Sequence, residues 1–316
     1  MISFQGLPSV GAPQERLADW LEFLALTSRE RETSRANLIA ALGIAGDSRG
    51  PCAPDDEELD DTDTTLEDIA DAVFAELDDR LLATGGEAGV FPFRLSENLL
   101  GLKTGMEESV YTFLVMLAQW SKENSGFFKE GVKLFEDLSA EAARKYLGGS
   151  KLRSESMVFG FPRRGLPVGF TAALKELCCK LGEGNGPKRN RPKMKDQKDA
   201  KLDVVAWTSF LDGRSGKLIA FGQCATGNNW ESKMTELGDP RDWWDRWIDD
   251  QPGAWPVKMF FVPHRVSARD WLYVCSHVGI LFDRCRIAHL ASDVSEPLRS
   301  TCGDWASRAL MKVTAG

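Results

Sequence analysis

Long apolar runs are missing from this chain of 316 residues: none approaches the roughly 18 to 20 residues that a membrane-spanning helix needs. The opening stretch MISFQGLPSVGAPQERLADW also lacks the basic-then-apolar layout of a secretory signal. Together these absences predict a cytoplasmic protein with no membrane partner. Histidine is scarce, with His264, His277 and His289 the full set, which leaves few combinations for nucleophile or zinc chemistry. Cysteine occurs in an odd number, seven, without regular spacing and with Cys178 beside Cys179. A disulfide framework is therefore not expected, and the thiols are read as reduced. No internal repeat or heptad array is visible. What is present is the composition of a globular protein, 43% hydrophobic and 27% charged, in a chain long enough for two domains.

Charge is unevenly spread. The net charge is −8, yet residues 1–150 hold 13 Lys and Arg against 28 Asp and Glu, whereas residues 151–316 hold 26 against 19. The basic half attracts an anionic partner such as nucleic acid, and the acidic half repels that partner or covers the basic surface. Helical spacing dominates the first half, with Leu17, Trp20, Leu21 and Leu24 in one segment and Ile69, Val73, Phe74 and Leu77 after Thr65 in another. The segments SVYTFLVMLAQWSKEN and FFKEGVKLFEDLSAEAARKYLGG predict further helices, and the acidic tract Pro54 to Thr64 a solvated loop. Residues 1–150 are thus expected to form an acidic all-α domain that regulates access or docks a partner. Glu107 with Glu108, and Glu130 with Asp137, are read as solvated helix surface.

Over residues 151–316 the pattern becomes mixed α/β. FTAALKELCCKLGEGNG predicts a helix stopped by glycines, followed by the basic loop PKRNRPKMKDQKDAK. LDVVAWTSF and LIAFGQCA predict the two strands of a hairpin, and PVKMFFVPH a third strand. TGNNWESKMTEL is expected to be a helix capped by Asn228 or Asn229, and SARDWLYVCSHVG a helix with Ser267 and Asp270 at capping-box spacing. GILFDRCRIAHL is expected to be a strand.

Asp203 opens the first strand of the hairpin and Gln223 lies on the second, so pairing brings both to one end of it. With Glu176 on the preceding helix, this layout can hold a divalent cation, and its oxygen donors suit Mg²⁺ or Mn²⁺. The region resembles the restriction-endonuclease-like superfamily of PD-(D/E)xK phosphodiesterases, in the Mrr-like branch where glutamine replaces the acid of the third motif. The resemblance is carried by FTAALKELCCKLGEG, by KDAKLDVVAW with Asp199 and Asp203, and by GKLIAFGQCATG with Gln223, and it covers about residues 166–262.

That resemblance implies an α/β (α+β) nuclease-like core, a central mixed sheet flanked by helices, and a Mg²⁺-dependent endonuclease acting on DNA in prokaryotic restriction or antiphage defence. Asp203 would be the central metal ligand and Gln223 would occupy the acid position of the third motif. The family's lysine is expected two residues after Gln223, where this chain has Ala225, so Lys233 takes its role. The helix glutamate is expected where Thr171 stands, and falls instead to Glu176 or Glu183. Lys188, Arg189, Arg191, Lys193, Lys195 and Lys198 of the basic loop would hold phosphates. The alternative is a catalytically inactive nuclease-like subunit that binds nucleic acid or a partner protein in a defence complex. A second copy of the chain is a further partner.

Three other chemistries are weighed on residue type. Cys224 follows Gln223 directly, the wrong order for a Q-A-C-x-G cysteine-protease signature, and strand alternation turns it to the interior. Cys275, His277, Cys285 and His289 depart from zinc-ligand spacing. Trp243, Trp244, Trp247 and Trp255 could stack on bases, but Trp243 and Trp247 stand four apart on a predicted helix, and packing explains them more economically.

Overall fold

The structure, a computed structural model, describes residues 9–47, 65–120, 125–189 and 197–314. Ten helices and two sheets are present among them. The chain divides into two compact units, residues 1–124 with 299–316, and residues 125–298. No helix among the described residues is long and apolar enough to cross a membrane.

The first unit contains α1 (Gln14–Thr27), α2 (Arg35–Asp47), α3 (Leu66–Ala83), α4 (Val110–Gln119) and most of α10 (Glu296–Thr314). Thr65 caps α3 with a complete capping box, its hydroxyl accepting from Asp68 N and the Asp68 carboxylate accepting from Thr65 N. The unit is not all-α. β1 (Glu32–Ser34), β2 (Phe93–Leu95) and β3 (Leu99–Leu102) form an antiparallel sheet in the order β1-β3-β2. Each strand has only three or four residues, and Glu32 pairs with Gly101 across a long loop, so local alternation could not reveal them.

A buried arginine ties the helices of this unit together. The Arg80 side chain is fully enclosed, with Nε 2.7 Å from Glu76 Oε1 and Nη1 2.7 Å from Asp19 Oδ1 and 3.0 Å from Glu22 Oε2. Nη2 donates to the Glu15 carbonyl, and Tyr111 on α4 donates its hydroxyl proton to Glu22. The three carboxylates hold the Arg80 guanidinium well above its ordinary pKa in spite of burial.

The second unit is built on a five-stranded sheet, β4 (Ser154–Val158), β5 (Val204–Thr208), β6 (Leu218–Cys224), β7 (Val257–Phe261) and β8 (Ile280–Phe282), in that order. β4, β5 and β6 are antiparallel neighbours, while β6, β7 and β8 run parallel. This is the mixed sheet expected from the sequence. Val205, Trp207, Ile219 and Phe221 face a core shared with α6 (Phe170–Leu181) and α7 (Pro240–Trp247), where Trp243, Trp244 and Trp247 are buried. Phe221 stacks on Trp244 at 6.0 Å, so at least these tryptophans are core.

The alternate residues Val204, Ala206, Ala220 and Gly222 belong to the other face, and α5 (Gly126–Tyr146) packs on β4, β5 and β6. Its apolar stripe of Gly131, Leu134, Phe135, Leu138, Ala142 and Ala143 is buried. Here the expected boundary at residue 150 gives way: α5 lies in the unit that begins at Ser125, and the C-terminal helix after Arg299 lies in the other. Three local expectations also change. TGNNWESKMTEL folds as a short 3₁₀ turn over Trp230–Lys233, not a helix. Ser267 does not cap α8 (Trp271–Val278), whose N-cap Asp270 makes no side-chain cap bond. GILFDRCRIAHL is β8 followed by α9 (Arg284–Leu290), because the Asp283 carboxylate accepts from Arg286 N and starts a helix there.

Candidate functional site

Asp203 sits where three segments converge. Its N–H donates to Gly222 O at 3.0 Å, and its carbonyl accepts from Phe159 N and Gly160 N at 2.7 and 3.1 Å. Its carboxylate Oδ2 accepts from Cys224 N at 2.8 Å. The turn leading into it is unusual: Ala200 and Lys201 both have left-handed φ, 53° and 67°. L-residues pay for that conformation unless the surroundings fix it. Asp199 fixes it here, its carboxylate accepting from Lys201 N and Phe161 N, and Trp243 Nε1 donates to Ala200 O.

The second acid at this point comes from α5. A β carbon placed on Gly160 would lie 3.1 Å from Asp203 Oδ1 and 3.6 Å from the Glu136 carboxyl carbon, so the two carboxyls flank one glycine. Burial pushes Asp203 up to about 8, and the charges of Glu136 and Asp199 add to that, while the Cys224 N–H and Lys233 oppose it. Burial likewise pushes Glu136 up to about 7, opposed by Arg164 and Lys133 and reinforced by Asp137 and Asp199. Two desolvated carboxyls, one of which raises the other, are the pattern of a site built for a proton or a cation.

An open cavity of about 460 Å³ lies in front of Asp203, lined also by Lys198, Asp199, Lys201, Gln223, Cys224 and Lys233. Lys233 is thus brought to Asp203 by the Trp230–Lys233 turn. Gln223 is 2% exposed and is occupied with structure: its Oε1 accepts from Leu237 N at 3.1 Å and its Nε2 stands 3.3 Å from Glu236 Oε2. Cys224 is not turned to an apolar interior. Burial, the charges of Asp203, Glu136 and Asp137, and a bond with Ser139 set its thiol, which is held well above the ordinary value and hence protonated. These surroundings disfavour a thiolate nucleophile there.

Compared with family models, curated proteins and solved structures, the chain finds no match.

The remaining expected residues divide. Glu176 pairs with Lys180 at 3.7 Å on the half-exposed side of α6 and does not line the cavity. Glu183 is 4% exposed, and its carboxylate accepts from Gly216 N, Lys217 N and Gly253 N, which makes it a staple between loops. Both were expected on the wrong helix: α6 packs on the Trp243 side of the sheet, whereas the acid near Asp203 comes from α5. Ala225 is fully buried against Trp230 and Phe260, so a lysine there would point into a core. Lys198 lines the cavity and lies over the Phe161 ring. Lys188 donates to Asp245 O, away from the cavity, and Arg189 makes no contribution to its lining. Arg191, Lys193 and Lys195 lie outside the described residues.

Glu136 was missed, although a signal existed. It interrupts the apolar stripe between Phe135 and Leu138, and Ser139 follows it by three, so two polar groups fall on a face that otherwise buries. No three Asp, Glu, His or Cys side chains among the described residues are gathered tightly enough to hold a metal by themselves. The Asp203 and Glu136 pair nevertheless fits a hard cation that keeps most of its waters, because its donors are carboxylate oxygens whose partners among the described residues are Cys224 N and Arg164.

Proposed function

We propose that the chain is a metal-dependent nuclease that hydrolyses phosphodiester bonds, with DNA as substrate and restriction or antiphage defence as its setting. The observation that carries this reading is the pair of half-buried carboxyls, Asp203 and Glu136, flanking Gly160, with Asp203 lining a cavity that Lys198, Lys201 and Lys233 also line. Asp203 and Glu136 would hold Mg²⁺ or Mn²⁺, with α5 taking the place that the family resemblance assigned to Glu176. A bound ion of this kind supplies a water of lowered pKa and neutralises charge on the phosphate. Lys233 faces the Asp203 carboxyl and is placed to donate to a phosphate oxygen or to orient water. Cys224 N–H holds the Asp203 carboxylate in one orientation, and Gln223 braces the turn after Lys233 through Leu237 N. Lys201 is paired with Glu236 at 2.9 Å, so Lys198 and Lys233 are the cavity-lining cations placed to meet a phosphate backbone.

The test is cleavage of plasmid and of short duplex DNA and RNA with Mg²⁺ or Mn²⁺ by wild type, Asp203→Asn, Glu136→Gln and Lys233→Ala. Metal-dependent cutting that the two acid variants lose supports the enzyme. Wild-type cutting unchanged by either variant would sink it. Ala225 favours a second reading, an inactive nuclease-like subunit, since the motif's lysine position is sealed in a core. Nucleic-acid binding without cutting, under all metals, supports that reading.

A further inference from the structure

The loop between β4 and α6, residues 159–169, carries adjacent arginines with opposite duties. Arg163 is nine-tenths buried, donates through Nη1 to Val168 O at 2.7 Å and through Nη2 to Lys198 O, and lies over the Phe159 and Phe170 rings. It pins the loop to the Asp199 turn. Arg164 turns to α5 instead. It pairs with Asp137, donates through Nη2 to Lys133 O at 2.9 Å, and brings the same nitrogen to 3.6 Å from Glu136 Oε2. Its side chain is 38% exposed, and the next residue, Gly165, has φ of 74°. A cation on a fixed root is therefore shared between Asp137, its closer partner, and Glu136, the acid beside Asp203.

We propose that Arg164 is a resident counterion of Glu136 that passes to a phosphate of the substrate when a divalent cation takes the carboxylate. The proposal rests on the metal site assigned above. A guanidinium and a divalent ion on one carboxylate repel each other, so occupation by the ion pushes Arg164 off Glu136, and its pairing with Asp137 opens when a phosphate competes for the guanidinium. Once free, the planar fork of an arginine matches two phosphate oxygens, and its backbone root stays held by Arg163. The direction of each effect follows. Losing a neighbouring positive charge favours a proton and a divalent ion alike, but the ion by twice as much in Coulomb energy.

The experiment measures Ca²⁺ affinity by calorimetry without DNA, and duplex affinity by fluorescence anisotropy in saturating Ca²⁺, for wild type, Arg164→Ala and Arg164→Lys, with circular dichroism to check folding. Arg164→Ala is expected to bind Ca²⁺ about threefold to tenfold more tightly and the duplex about tenfold more weakly. Its plot of log affinity against log salt is expected to be shallower by about one unit, and Arg164→Lys to keep the wild-type slope. Opposite movement of the two affinities is what a merely structural arginine cannot produce. If both affinities fall together, or neither moves, the handover is wrong. If wild type takes no Ca²⁺, or Asp203→Asn and Glu136→Gln leave its affinity unchanged, the metal site itself fails and the handover with it.

Discussion

Asp203 and Glu136 bind protons more readily in the folded chain than their ordinary values of 3.8 and 4.5 allow, at about 8 and about 7. Between those limits the folded state therefore holds more protons than the unfolded one. Stability contributed by the pair is present at low pH and is lost as pH rises through the folded values. The metal-free protein is expected to lose on the order of a few kcal/mol between about pH 5 and 8 from these groups. Asp203→Asn, which keeps an acceptor for Cys224 N, should melt above wild type at pH 8 without metal, and the gap should shrink at pH 5. Equal melting temperatures at pH 8 would show that the carboxyls are relaxed in solution. Arg80 presents the reverse case, a buried cation whose loss strands Asp19, Glu22 and Glu76 together. Arg80→Met is expected to cost about 3–5 kcal/mol, read as a fall in urea midpoint at pH 7 and partly recovered at low pH, where the carboxylates protonate.

Single elements carry their own tests. Removing the hydroxyl of Thr65 breaks the capping box of α3, and Thr65→Ala should cost about 1 kcal/mol in chemical denaturation. On β6, a β carbon at Gly222 would meet Phe261 Cε2 at 2.7 Å and Val204 Cβ at 3.3 Å, so Gly222→Ala should cost about 1–3 kcal/mol through overpacking. The longer elements were legible because their burial follows a local period: α1, α3, α5 and α6 from helical stripes, β5, β6 and β7 from apolar, β-branched and aromatic runs. Those set by distant pairing were not, as with β1, β2 and β3, nor was β4, which gains its strand character from pairing with β5. Strand pairing brings Asp203 to the cavity as the hairpin predicts, while Lys233 lines it from a 3₁₀ turn where a helix was expected. The polar break that Glu136 makes in the α5 stripe marks the position, but only the packing of α5 on the sheet brings it beside Asp203.

At the scale of the molecule, the division at Ser125 has a direct consequence. Residues 125–298 contain the five-stranded sheet, α5 and every group of the candidate site, from Glu136 and Arg164 to Asp203 and Lys233. Produced alone, this piece is expected to unfold in one cooperative transition. A piece starting at residue 151 lacks α5, exposes Val204, Ala206 and Ala220 and loses Glu136; it should aggregate or melt without cooperativity. Equal behaviour of the two pieces in scanning calorimetry would overturn the boundary. The helix after Arg299 matters in a different way. Trp305 on α10 packs edge-on to Phe113 at 5.3 Å and lies 5.9 Å from Trp120, and it is fully buried in the first unit. On the ribosome, then, the unit whose synthesis starts first is completed last: its core waits for a helix translated after all of the second unit, which can fold while the first is still open.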